Sequence, residues 1–286
     1  MKYLMLMTLV LFSLSLSAQT SEPTMPTSFD HNYTSFNSML SKNVMMKKQG
    51  GKSIVKYESI SLDEINAVVA EMTQISRDKV MGSFTYKQRL SYFINLYNAL
   101  TIKLIKDNYS KAKKKGIRYI GDWFGIKGPW DKKKFTVFGV KTSLNEIEHG
   151  YIRGDKGGSK FKQSKKEYSD PRIHFAVNCA SKGCPALLNQ AFTESNLIAN
   201  MDKAMVAFLK DRDRNKFENG IMNLSMIFKW YEKDFSRGLL GYKSIKDFVM
   251  KNAKHLADSP ELQTKLSSGQ FKLDYTDYDW TLNNSI

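Results

Sequence analysis

Cysteine, proline and acidic residues are all in short supply in this chain. Six prolines and seventeen glycines among 286 residues exclude collagen-like and low-complexity architectures. With only two cysteines, any thiol or disulfide chemistry falls to Cys179 and Cys184, five positions apart. No stretch beyond residue 16 approaches the length of a membrane-crossing helix. Asp and Glu number 28 against 44 Lys and Arg, a formal net charge of +16. Taken alone, that surplus points to nucleic acid or another polyanion.

What is present argues for a packed interior. Hydrophobic residues make up 42% of the chain, aromatics 12% and charged residues 25%, ordinary values for a globular protein. The N-terminus changes the reading of the charge. Met1-Lys2 is a short positive segment, Leu4 to Leu16 is apolar apart from Thr and Ser, and Ser15, Ser17 and Ala18 supply small residues before polar Gln19. That is a secretory signal pattern with cleavage expected after Ala18, and its apolar core is too short to span a bilayer. No cysteine lies near the cut to carry a lipid anchor. The expectation is an exported protein, periplasmic or secreted. Export makes nucleic acid a poor partner and favours an anionic envelope polymer, a lipid headgroup or a small acidic substrate.

The organisation expected is a signal peptide at 1–18, a polar lead-in at 19–55 and one domain at 56–286. Ser61 and Glu64 have capping-box spacing ahead of a helical period through Met72. From Tyr86 to Asn108, Leu90, Ile94, Tyr97, Thr101 and Leu104 form an apolar stripe widened by Phe93, Leu100 and Ile105. So broad a face predicts a central helix covered on most sides, with Asn95 and Asn98 in need of partners. Strands are predicted at 117–126, 135–140 and 172–179. The second capping box, Ser143 with Glu146, opens a short helix to about Arg153, and further helices are predicted at 193–211, 224–235 and 244–256. Helices and strands mix without βαβ alternation. The fold class is therefore α+β, a single domain with a small, mostly antiparallel sheet.

Reactive side chains concentrate in three words: Glu148-His149, Asp170-Pro171-Arg172-Ile173-His174, and Asn178-Cys179-Ala180-Ser181-Lys182-Gly183-Cys184-Pro185. A cysteine with a histidine base and a carboxylate or amide to orient it is what nucleophilic thiol chemistry requires. Pro185 could open a helix at Cys184, and a helix N-terminus or the cations Lys182 and Arg172 would favour a thiolate. Three other readings stand beside this one. The cysteines could form a disulfide, contributing about 2 kcal/mol for so small a loop. They could join the two histidines around a metal, or lie inert and buried. His149 could simply be solvated, His174 could be a satisfied core residue, and Asn95 and Asn98 could brace a loop. Arg153 and Arg172 could hold a carboxylate or phosphate, or pair with Glu148 and Asp170. The lysine runs 111–115, 132–134 and 160–166 read most simply as solvated faces.

Several of these words, with Tyr92-Phe93-Ile94-Asn95-Leu96-Tyr97-Asn98, Leu224-Ser225-Met226-Ile227-Phe228-Lys229-Trp230-Tyr231 and the closing Tyr278-Asp279-Trp280, resemble the domain of unknown function 547 family, in order over roughly 60–283. The resemblance implies a domain found in exported bacterial proteins and, in eukaryotes, joined to other modules, without an established activity. It places His149, Arg153, Arg172, His174, Asn178, Cys179 and Cys184 in the part that defines the domain. A looser fold-level similarity to papain-like and transglutaminase-like folds fails at one point: their nucleophilic cysteine starts the central helix, whereas here that helix carries Asn95 and Asn98.

The reading reached from sequence is a thiol- and histidine-dependent hydrolase or transferase acting on envelope or extracellular material. Cys179 or Cys184 is the nucleophile, His149 or His174 the base, and Glu148, Asp170 or Asn178 the orienting group. Arg153, Arg172, Asn95 and Asn98 are the substrate-binding candidates, and no cofactor or metal is assigned. The alternative is a non-catalytic binding module with a structural Cys179–Cys184 bridge and a cationic face.

Overall fold

The computed structural model describes residues 28–47, 51–120, 128–154 and 170–284. The expected signal peptide, the part of the expected 117–126 strand from residue 121 onward and the 160–166 lysine run lie outside them. Helix α1 (Thr34–Asn43) buries Phe36, Met39 and Leu40 at helical spacing. Strands β1 (Val44–Met46) and β2 (Ser53–Val55) pair antiparallel behind it. Helix α2 (Leu62–Thr73) starts where Ser61 Oγ accepts the Glu64 N–H at 3.0 Å, and α3 (Arg77–Ser83) where Ser76 does the same for Lys79.

Helix α4 (Tyr86–Asp107) is the centre of the molecule. Thr85 and Gln88 close a reciprocal capping box at its start. Every residue from Leu90 to Ile102 is buried, so the helix is enclosed on all sides along that length. No cysteine begins it, and the papain-like comparison has no footing at this helix.

Helix α5 (Tyr109–Lys115) ends at Gly116, φ +80°, and Ile117–Tyr119 is a 3-10 turn where a strand was expected. The single strand expected at 135–140 is a hairpin, β3 (Phe135–Val137) with β4 (Val140–Thr142). Phe138 and Gly139 both have positive φ, 52° and 75°, which is the two-residue turn that matches strand twist. Helix α6 (Leu144–Glu146) opens on the Ser143–Glu146 capping box and widens at once into a π-turn over Ile147–Ile152. There the Arg153 N–H reaches back five residues to the Glu148 carbonyl at 2.8 Å.

The strand expected at 172–179 is replaced by a 3-10 helix, Pro171–Phe175. Asp170 caps it by accepting the Arg172 N–H at 2.9 Å, with Pro171 preset for a first turn. Residues 171–178 are all buried, so their apolar–polar alternation separates no core face from solvent. Nor does Cys184-Pro185 open a helix; residues 184–192 form an irregular connection.

The rest is helix α7 (Leu197–Leu209), strands β5 (Lys216–Glu218) and β6 (Ile221–Ser225), and short helices α8 (Met226–Trp230) and α9 (Glu232–Phe235). Helices α10 (Ile245–Lys251), α11 (Ala253–Leu256) and α12 (Pro260–Ser267) follow, then strand β7 (Lys272–Thr276). Strand β6 pairs antiparallel with β5 and parallel with β7. The result is an α+β domain with small, mostly antiparallel sheets. One apolar cluster surrounds α4 and another fills the space among α7, α8, α10 and the β5–β6–β7 sheet. The Pro171–Phe175 turn bridges them: Ile173 packs in the first and Phe175 in the second. His174 sits between.

Candidate active site

Two side-chain amides one turn apart on α4 shape the site from below. Asn95 donates to the Phe192 carbonyl at 2.7 Å and accepts the Phe192 N–H at 3.0 Å. Asn98 donates to the Ala176 carbonyl at 3.0 Å and accepts the Asn178 N–H at 2.9 Å. Each amide acts like one rung of a strand edge, pinning an irregular segment that has no sheet to join. Asn98 therefore braces the segment that leads into the cysteines and Asn95 the one that follows them, and neither lines the two cavities at the cysteines.

The segment 178–185 is then folded on itself. Asn178 donates to the Pro185 carbonyl at 2.7 Å and accepts the Ala180 N–H at 2.9 Å. That second bond holds Ala180 at φ +66°, a conformation costing an L-residue about 1–2 kcal/mol. The chain's last described residues cross the loop as a strap. Lys182 and Gly183 donate to the Thr281 and Asp279 carbonyls, both at 2.9 Å, and Asn283 donates to Ala180 O at 3.0 Å. Gly183 suits this approach, because a Cβ there would lie 3.0 Å from Asp279 N and O and from the Tyr278 ring and would press on the strap. Gly183→Ala is expected to lift the strap and lower stability by about 1–3 kcal/mol, read as a fall of several degrees in Tm together with altered emission from Trp280. An unchanged Tm would show that the strap yields freely.

The folded loop brings the two sulfurs together. Both thiols are free, Cys179 half-buried and Cys184 buried, with Sγ atoms 2.7 Å apart and hydrogen-bonded. The Cys179 N–H donates to Cys184 Sγ at 2.9 Å, while the hydroxyls of Tyr278 and Ser181 lie 3.2 and 3.3 Å from Cys179 Sγ. The Ser181 and Tyr278 hydroxyl oxygens are themselves 2.9 Å apart. Hydrogen bonding from Cys184 first, then Ser181 and Tyr278, outweighs burial and brings Cys179 down to about 7. Burial and the neighbouring Cys179 push Cys184 well up. Burial also pushes the Tyr278 phenol well above its usual range, so it remains a hydrogen-bond donor at neutral pH. The thiolate is thus favoured by sulfur and hydroxyl partners, not by a helix end. Arg172 is elsewhere, paired with Asp170 and, at 2.7 Å, with Asp202.

Cys179 and Cys184 border a cavity of about 450 Å³, together with buried Glu148 and His174. Its walls are largely aromatic, including Tyr97, Trp130, Trp230, Tyr231, Tyr278 and Trp280. Arg118 is a cation on the rim, 5.2 Å from the Trp280 ring. A smaller cavity of about 240 Å³ shares Cys184, Pro185 and Tyr278 and is lined by Lys52, Lys182 and Arg214.

Behind His174 lies an ion cluster. Its Nε2 is 2.8 Å from Asp234 Oδ2, which also accepts Arg153 Nε at 2.7 Å, and Arg237 lies 3.1 Å from Oδ1. Arg153 donates to His149 Nδ1 as well, so His149 and Arg153 serve this cluster and neither borders the cavity. Burial outweighs the attraction of Asp234 and lowers His174, keeping it neutral. Despite burial, His174 and Arg153 hold the Asp234 carboxyl far below the usual carboxylate range. Asp234 can only accept, so the neutral imidazole carries its proton on Nε2 and leaves Nδ1 as the ring's acceptor. The carboxylate that orients His174 is therefore Asp234, not Glu148 or Asp170. Glu148 instead accepts the Tyr231 hydroxyl at 2.7 Å, and the Tyr231 ring stacks on His174 at 4.0 Å between centroids. The break between α8 and α9 at Tyr231 sets Tyr231 and Asp234 three residues apart on one side.

Among the described residues, no group of three or more His, Cys, Asp or Glu side chains could hold a metal ion, and no helix is long and apolar enough to cross a membrane. Of the basic runs, Lys111, Lys114 and Lys115 are exposed on α5 while Lys113 pairs with Glu58, and Lys133 pairs with Glu146.

Fold and cavity thus describe an α+β protein whose cleft presents a paired thiol beside a carboxylate-held histidine. Residues 81–209 match the family model described as a protein of unknown function, DUF547. No curated protein and no solved structure matches it, which leaves the papain-like comparison without support. The matched segment carries Glu148, His174 and both cysteines. Tyr231, Asp234, Tyr278 and Trp280, which complete the site, come from beyond it.

Proposed function

We propose that this protein is an exported thiol-dependent enzyme, a hydrolase or transferase, in which Cys179 is the nucleophile and the aromatic cavity receives the substrate. The observation that carries this reading is the Cys179 thiol on the cavity wall, hydrogen-bonded by Cys184, Tyr278 and Ser181 and brought down to about 7. A thiol so tuned is substantially ionised at neutral pH without a separate base. Cys179 Sγ attacks an acyl carbon and the bond to the leaving group breaks. The protons of both half-reactions pass through His174 Nδ1, with Asp234 fixing the ring. The Asn178, Cys179, Ala180, Lys182, Gly183 and Cys184 amides all donate within the protein. The donors left at the thiol for the developing oxyanion are the Ser181 N–H, which bonds the sulfur, and side-chain hydroxyls, of which Tyr278 stands nearest. Arg118 at the rim suits an acidic group on the substrate, and the Met1–Ala18 pattern supports an envelope or extracellular location.

p-Nitrophenyl acetate tests the assignment. The reduced wild-type chain is expected to release a burst of nitrophenolate stoichiometric with protein, forming a thioester at Cys179. The pH midpoint of the burst rate is expected near 7, rising in Tyr278→Phe. Equal release by wild type and Cys179→Ser would remove Cys179 as the nucleophile.

A further inference from the structure

We propose that Cys179 and Cys184 are a reversible dithiol–disulfide couple that reduces disulfide-bonded substrates by exchange at Cys179, an activity that does not require acyl transfer. The sulfurs already stand 2.7 Å apart, so forming a bond of about 2.05 Å asks for an approach of roughly 0.7 Å. The loop that carries them is closed at both ends, by Asn98 on the Asn178 N–H and by Asn178 on the Pro185 carbonyl, and is strapped from above by Asp279–Asn283. The pair is also asymmetric. Both border the larger cavity, but Cys179 is half-buried and the more accessible of the two, whereas Cys184 is 7% exposed. The first meets substrate and the second resolves.

Both steps balance. The Cys179 thiolate attacks one sulfur of a substrate disulfide; a Cys179–S–S–R bond forms, and the second substrate thiolate leaves and takes up a proton. Cys179 then carries no charge, so one of the two influences holding Cys184 protonated disappears. Cys184 loses its proton and attacks Cys179 Sγ, the bond to R breaks, and the first thiol departs. The substrate disulfide gains two electrons and becomes two thiols, while the pair becomes Cys179–Cys184 disulfide. A dithiol reductant returns it to the starting state by the same exchange in reverse.

The test uses the full reduced chain with two oxidants, glutathione disulfide and a disulfide-linked dimer of a one-cysteine peptide with apolar flanks, followed by acid quench and intact mass. The expected product is protein lighter by two hydrogens with two thiols released per chain, restored by dithiothreitol. The rate is expected to level off above about pH 7. Cys184→Ser stops at one mixed disulfide on Cys179, and Cys179→Ser forms no internal bond. Reaction with glutathione disulfide alone assigns a small disulfide as substrate; reaction with the peptide dimer assigns a disulfide-bonded peptide. Wild-type protein that ends as a stable mixed disulfide, or that reacts with neither oxidant, overturns the couple. A nitrophenolate burst without disulfide formation retains the nucleophile and rejects the couple, and the converse result separates them the other way.

Discussion

Asp234→Asn is expected to destabilise the protein by about 3–5 kcal/mol at pH 7, the range for breaking a buried ion pair. One carboxylate holds the Arg153 guanidinium at 2.7 Å and the His174 imidazole at 2.8 Å, with Arg237 at 3.1 Å on its other oxygen. The side chains of Asp234 and Arg153 are only 5% and 8% exposed. Asparagine keeps the shape but removes the charge, and it presents an N–H₂ where one of three donors must find an acceptor. Arg153 then loses the carboxylate at its Nε and remains a buried cation beside the His149 acceptor and the Tyr231 ring.

The pH dependence follows from the direction of the two shifts. The Asp234 carboxyl is held low in the folded state, so its stabilisation is complete above the unfolded value, about 3.9, and is lost as pH falls toward the folded one. The gap between wild type and Asp234→Asn should therefore narrow below about pH 4. His174 is also lowered when folded; below about pH 6.5 the unfolded chain takes up a proton that the folded chain refuses, and stability declines as pH falls. Without Asp234 the refusal strengthens, and the variant's decline between pH 6.5 and 5 should be the steeper of the two. Urea melts across pH 3–8 would show both effects. A variant within 1 kcal/mol of wild type, with parallel pH curves, would mean that the cluster is solvated and loosely held.

Local pattern and distant assembly account for what the sequence revealed and what it hid. Helix α4 was legible because an apolar face widened on both sides has one physical solution, enclosure. The capping boxes at Ser61 and Ser143 were legible because donor and acceptor lie three residues apart. The segment 172–179 misled because alternation signals a strand only where one face meets water, and here both faces meet protein. Its real marker was Asp170-Pro171, a cap ahead of a preset first turn. Cys179 and Cys184 drew attention as the sole thiols, and their approach depends on a loop whose fasteners, Asn178 and Pro185, are local. Asp234 left no such trace. It lies 60 residues from His174 and 81 from Arg153, in a run of charge that reads as a solvated helix end. Tyr278 and Trp280 reach the site only through the strap, and the reason for Gly183 is likewise visible only once the strap is in place.

Asn98→Leu is expected to lower stability by about 2–5 kcal/mol and, unlike its neighbour's replacement, to retune the thiol. Leucine has the same branched four-atom skeleton as asparagine but leaves the Ala176 carbonyl and the Asn178 N–H unpaired in a buried setting, each omission costing about 1–3 kcal/mol. Asn95→Leu makes the same two omissions at Phe192 and should cost a similar amount. The two differ in what they release. Asn98 anchors the residue that opens the cysteine loop, and a loosened Asn178 frees Cys179 from Cys184, Ser181 and Tyr278, the partners that lower it. In Asn98→Leu the pH midpoint for iodoacetamide capture of Cys179 should therefore climb from about 7 toward the free-thiol value of about 8.5. In Asn95→Leu it should stay in place. Equal midpoints in Asn95→Leu and Asn98→Leu would show that the sulfur pair and the strap hold the loop by themselves, and that α4 supplies stability to the site without setting its chemistry.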